Sequence, residues 1–313
     1  MRTLDINSSV ADPGSPHQHR VAVAKTLPDL FPLMAPSRGV AGYLRRHRNI
    51  AIGGSLVLLI LATAVFASFL FTKDPTALAP SLRLRQPSMQ FWFGTDMLGR
   101  DVFSRVLYGG RVSLLVGLAV AFFSSTLGLA IGLISGYVRW TDSIVMRVMD
   151  GIMSIPPILL AIALMALTRA SVANVILAIT VVEIPRVARL VRSVVLTLRE
   201  QPFVDAAIAA GTRVPMIIVR HILPNTLAPL IVQATYIFAS AMIIEAILSF
   251  IGAGTPPSVP SWGNIMGEGR ALWEVKPYLI FFPALFLSVT VLAVNLLGDG
   301  LRDALDPRIA KWV

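Results

Sequence analysis

Five stretches of the chain carry no charged side chain: 50–72, 112–138, 151–168, 222–244 and 277–298. A helix needs about 20 apolar residues to cross a bilayer core of about 30 Å, and each stretch is near or above that length. A sixth oily segment, roughly 172–191, is interrupted by Glu183. The pattern predicts an all-α polytopic membrane protein with about six transmembrane helices. It excludes a β-barrel, whose strands run about 9–11 residues with alternating polarity.

The polar remainder organises the chain between these spans. Residues 1–49 are polar, with prolines at 13, 16, 28, 32 and 36, and read as a largely disordered tail. The run at 50–72 is longer than the usual core of a cleavable signal peptide, about 7–15 residues, so it reads as a retained first span. Arg45, Arg46, His47 and Arg48 precede it, which puts that end in the cytoplasm by the positive-inside rule. Six passes then leave both termini cytoplasmic, and 18 of the 27 basic residues fall on the inner side. The six basic residues within 73–111 run against this count. Residues 73–111 form an extracytoplasmic loop, 112–298 a core of five spans, and 299–313 a second cytoplasmic tail.

Composition then narrows the class. The chain has 313 residues, 55% hydrophobic and 14% charged, against about 25% charged in soluble domains. Its net charge is +10, and basic loops at an anionic membrane face explain that without nucleic acid. There is no cysteine, so disulfides, cysteine-ligated metal and thiol catalysis are excluded. No Gly-Lys-Ser/Thr occurs, so the chain has no phosphate-binding loop for ATP.

Several positions stand out within this frame. In 94–111, Met97, Val102, Val106 and Leu107 lie near helical spacing with Arg100, Asp101 and Arg105 between them. That spacing fits an amphipathic interfacial helix or a solvated loop helix. Gly128, Gly132 and Gly136 share one helix face and suit close helix packing. Pro156, Pro157 and Pro283 predict kinks or helix starts. Glu245 is a possible lining residue of a pathway, because an ionisable group inside a membrane is expensive. For Glu183, a pair with Arg186 or Arg189 is the simpler reading. Trp262 and Trp273 read as anchors of the outer interface.

The most ordered polar segment is 199–225. Pro202 can start a short helix, Phe203–Ala210 favours helix, and Gly211 can cap it in a left-handed conformation. Val214, Ile217, Ile218 and His221 recur at helical spacing, and Pro224 marks the next span. The segment predicts a short helix, a sharp turn and an amphipathic helix along the inner surface. Both a docking element and a partnerless surface helix fit this pattern.

At these residues a resemblance appears. Asp205-Ala206-Ala207, then Gly211, then Leu223-Pro224 is similar to the EAA loop of ABC-importer permeases. Asp205 stands where Glu is common in that family, and His221 where Ile is common. RHILPN at 220–225, GTDMLGRDVFSRVLYGGRVSL at 94–114, LSFIGAGTPPSVPSWGNIM at 248–266 and NLLGDGLRDALDPR at 295–308 resemble the dipeptide/oligopeptide/nickel branch, in particular its C-type (DppC/OppC-like) subunits.

The resemblance implies a type I ABC-importer permease fold in the bacterial inner membrane. It implies a heterodimer with a homologous B-type permease, one or two cytoplasmic ATPase subunits carrying ATP and magnesium, and an extracytoplasmic substrate-binding protein. The coupling residues would be Phe203, Asp205, Ala206, Ala207, Gly211, Arg213, His221 and Pro224. The cargo would be peptides, with nickel complexes or glutathione-like molecules as alternatives. The chain itself would bind no cofactor or metal and would be no enzyme. Lipid surrounds it. A rhomboid-like protease would need glycine where Leu133 precedes Ser135-Gly136. A transporter acting alone often shows internal duplication, and none is evident.

Overall fold

A computed structural model describes residues 47–70 and 72–305. The expected tail over 1–46 and the final residues 306–313 lie outside the described residues. Ten α-helices organise the rest, with no β-strand among the described residues. They are α1 (Arg48–Val65), α2 (Val102–Tyr137), α3 (Arg139–Met153), α4 (Pro157–Ala166), α5 (Val172–Arg199), α6 (Pro202–Ala209), α7 (Val214–Ile217), α8 (Leu223–Phe250), α9 (Trp262–Gly269) and α10 (Tyr278–Leu305).

Four helical stretches are long and apolar enough to cross a membrane: α1, α2, Val214–Phe250 and α10. The pair α3 and α4 qualifies as a fifth only if its 88° bend belongs to one span. Pro156 and Pro157 cause that bend. Pro157 has no N–H to offer, and the residue before a proline avoids the helical region. The expected third span is therefore a sharply broken element. The expected sixth span is α5, whose 28 residues are long enough. Glu183, Arg186, Arg189 and Arg192 leave it too charged to qualify on composition.

Packing supplies what composition does not. A Cβ added at Gly128 would run into the Cβ of Val187, and one at Gly132 or Gly136 would lie 2.6 Å or 2.7 Å from the Cβ of Val191 or Val195. Both series ascend together, so α2 and α5 are parallel. Extending that register places Val172 level with Ser113, about 36 Å from Tyr137 along α2 at 1.5 Å per residue. The connection 138–171, containing α3 and α4, must therefore return across the bundle. This makes six passes.

Two further expectations differ in detail. The segment 94–111 is not a separate amphipathic helix. Residues 94–101 form a folded loop, and helix begins at Val102, where Asp101 caps Ser104 N at 2.9 Å. Arg105 faces the interior because two carboxylates await it there. Pro283 lies inside an unbroken α10.

The core is built from α2, α4, α5 and α8, around Val120, Ile179, Val191, Ile237 and Leu248. A second cluster joins α1, α2, α9 and α10 around Trp262 and Ile265. Trp262 is 1% exposed, and its Nε1 donates to Val106 O at 2.9 Å. It is a core residue, not an interface anchor, whereas Trp273 is exposed.

Candidate functional site

The segment between α5 and α8 closes one end of the bundle, with Val204, Ile217 and Ile222 buried in the main core. Glu200 caps α5, and Pro202 opens α6 at its first position, where a missing N–H is harmless. Asp205 in the first turn complements the helix dipole. At the other end Gly211 has φ +75°, a left-handed conformation that glycine adopts without strain. Thr212 N donates to Ala207 O at 3.0 Å and Gly211 N to Ile208 O at 2.9 Å. These two bonds form a Schellman cap, which stops the helix within eight residues.

Only Val204 of α6 is fully buried, and it anchors the helix in the main core. Phe203, Asp205, Ala206 and Gly211 are exposed, as is Arg213 beyond the turn. Ala207 is partly buried against the core. Small side chains along the outer surface leave the α6 backbone open to close approach, with Phe203 and Ile208 as larger apolar contacts.

The second half of the segment is not a separate surface helix. Arg213 precedes α7, a π-turn spans Ile218–Ile222, and α8 follows without a break. The extra residue of a π-turn lets α7 tilt while Ile217 and Ile222 stay buried. His221 lies in that turn, its ring 6.3 Å from the ring of Phe203. Pro224 is exposed in the first turn of α8. The sequence-selected residues from Phe203 to Pro224 thus share one end of the molecule.

Glu245 is elsewhere, 24 residues along from His221, or about 36 Å at 1.5 Å per residue. It is 0% exposed. Ser249 Oγ donates to it at 2.8 Å and Ser113 Oγ at 3.2 Å. Ser249 continues to Thr255, and Thr255 to Ser261 and Asn264. The carboxyl group therefore ties α2, α8 and the loop before α9 together and faces no open surface of this chain. Glu183 accepts from Ser240 Oγ at 3.0 Å and lies 3.1 Å from Arg186 Nη1. Arg189 pairs instead with Asp150 at 2.6 Å.

Sequence reasoning missed one constellation. Asp96 Oδ2 accepts from Arg100 Nε and Arg105 Nη1, both at 2.6 Å. Both arginines also reach Glu268 of α9, at 2.6 Å from Arg100 and 2.5 Å from Arg105. The signal was present: two arginines and two aspartates within the ten residues 96–105, bordering an oily span. Their partner Glu268, about 160 residues away, was not visible locally.

A profile of the family described as "Binding-protein-dependent transport system inner membrane component" matches residues 128–311. The chain is 53% identical over 264 residues to a protein of Sinorhizobium fredii named probable peptide ABC transporter permease protein y4tQ, covering 84% of this chain and 90% of that one. It is 40% identical over 282 residues to the dipeptide transport system permease protein DppC of Alkalihalophilus pseudofirmus, covering 90% and 93%. It is 42% identical over 267 residues to the glutathione transport system permease protein GsiD of Escherichia coli O6:K15:H31, covering 84% and 88%. In fold it is similar to an inward-facing structure of the MetNI methionine ABC transporter, with TM-score 0.54 over 64% of this chain and 96% of the matched chain, at 21% identity.

Proposed function

The chain belongs to the family of binding-protein-dependent transport system inner membrane components, and from that premise we propose that it is the permease subunit of an ATP-driven peptide importer. It lies in the bacterial inner membrane with both termini in the cytoplasm. With a homologous B-type permease it encloses the pathway, each supplying half. An extracytoplasmic binding protein delivers the cargo. One or two cytoplasmic ATPase subunits hold ATP and magnesium.

The observation that carries this reading is the exposed α6, closed by the Gly211 cap and anchored through Val204. Its small outer side chains suit a cleft, and its short connection to α8 through the π-turn is suited to transmitting force. An ATPase that grips α6 moves Phe203 and His221 together and pulls directly on α8. Peptides are the cargo favoured by the names of y4tQ and DppC. Glutathione is the second reading, favoured by the name of GsiD at 42% identity.

The test is reconstitution of the permease pair, ATPases and binding protein in proteoliposomes. Uptake of dipeptides and glutathione is then measured with and without ATP. In the Gly211→Asp variant, an aspartate at φ +75° disturbs the cap and places a charge on the docking surface. Transport is expected to vanish while the variant still inserts and purifies. Normal uptake by that variant would reject the coupling role. Uptake that needs no ATPase would reject the importer reading.

A further inference from the structure

Helix α3 lies across α5 and leaves one side uncovered. Asp142 pairs with Arg192, and Asp150 with Arg189 at 2.6 Å. Between these contacts α3 advances eight residues, about 12 Å, while the partner position on α5 falls back three, about 4.5 Å. The two helices therefore cross steeply. Met146 and Met149 pack against Ala188 at the crossing. Arg192 stands 20 residues beyond Val172, about 30 Å along α5, which equals one hydrocarbon thickness. The start of α3 is thus at the membrane boundary, at the same end of α5 as α6, and α3 runs closer to the membrane plane than to its normal.

The uncovered side is a row. Trp140, Ile144 and Val148 recur every fourth residue and are 72%, 60% and 54% exposed. Arg139, Ser143 and Arg147 border the row on its polar flank, all exposed. Neither arginine has an acidic partner among the described residues, because both acids of α3 are taken by Arg189 and Arg192. An apolar row with a bordering tryptophan and free cations, on a helix near the membrane plane, matches the requirements of an anionic lipid surface. The row enters the acyl boundary, the indole sits at the headgroup level, and the guanidinium groups meet phosphate.

We propose that α3 is a built-in interfacial anchor, with Trp140, Ile144 and Val148 in the lipid boundary and Arg139 and Arg147 binding anionic headgroups. This rests on the membrane-permease reading and adds a lipid site to it. Anchoring there would hold α3, and α5 through its two ion pairs, at the membrane boundary, so transport would depend on anionic lipid.

The test uses the full complex in nanodiscs made with brominated phosphatidylglycerol or brominated phosphatidylcholine. The emission lost in Trp140→Phe isolates the Trp140 signal from the other four tryptophans. Trp140 is expected to be quenched in the assembled complex, more strongly by phosphatidylglycerol. Each of Arg139→Gln and Arg147→Gln should reduce that preference about fivefold, equivalent to about 1 kcal/mol per charge. The corresponding lysine variants should retain it. A Trp140 that is quenched in the isolated chain but shielded in the complex would assign the row to a partner subunit and overturn the proposal. Equal quenching by both lipids would overturn the headgroup site. ATP-driven uptake measured on the same nanodisc preparations after transfer to liposomes keeps the permease reading separate: lipid preference without transport would reject that reading alone.

Discussion

Arg105 is 1% exposed, and its guanidinium is shared between Asp96 and Glu268. A buried arginine is tolerable only if charge and geometry are both met. The planar fork meets both carboxylates at once, and Arg100 completes the neutralisation from the loop side. A point charge on a flexible stem cannot bridge the two acids in the same way. Arg105→Leu is expected to destabilise the protein by about 3–5 kcal/mol, because it leaves Asp96 buried beside one remaining cation. Arg105→Lys should recover only part of that loss. Thermal unfolding of the purified complex, followed by near-ultraviolet circular dichroism, checks the order. An Arg105→Leu protein as stable as the parent would reduce the cluster to a surface ion network. Within the sequence these charges fit an interfacial helix or a solvated loop helix, because local spacing cannot reveal a partner on α9.

Among elements, α2 and α5 pack closely along a line of three glycines. Each of Gly128, Gly132 and Gly136 receives a valine of α5 where its own side chain would stand. The absent side chains let the helices approach, and the branched valines fill the space without rotamer freedom to lose. Gly132→Ala is expected to cost about 1–3 kcal/mol through overpacking, and Val191→Gly in the same chain, which removes the Cβ 2.6 Å away, should restore part of it, because Ala188 O stays 2.7 Å from the added carbon. Stability of the two single variants and the double variant forms the cycle. Additive losses would mean that the two positions do not share the space.

The glycine spacing was legible in the sequence, but its partner was not. The valines at 187, 191 and 195 lie among the charges that made α5 look like a doubtful span. Those charges are explained by α3, whose two aspartates pair with Arg189 and Arg192. The oily blocks were legible because a bilayer demands a minimum apolar length, whatever the fold. The break at Pro156-Pro157 was signalled by sequence, but its 88° angle depends on where α5 stands. The short helix and turn at 202–211 were legible because proline and glycine punctuate locally. The π-turn that fuses α7 with α8 was not, because it answers to the burial of Ile217 and Ile222.

At the scale of the whole molecule, the parallel α2 and α5 constrain the path of the chain. Residues 138–171 leave the end of α2 and must reach the opposite end to begin α5. Glu268 contacts Arg105 near the start of α2, so the connection between α9 and α10 lies at that opposite end as well. Ala170 and Glu274 therefore belong to one side of the membrane, and Ala206 in α6 to the other. All three are exposed, and the chain has no cysteine to remove before labelling. Cysteines placed singly at these positions should divide accordingly. A membrane-impermeant maleimide is expected to label Ala170→Cys and Glu274→Cys in intact spheroplasts, and Ala206→Cys only after permeabilisation. Labelling of Ala170→Cys together with Ala206→Cys would mean that α5, the helix between them, does not cross. Six passes would then become five, and the two termini would separate to opposite faces. The reverse pattern at all three positions would place α6 outside, out of reach of any cytoplasmic ATPase.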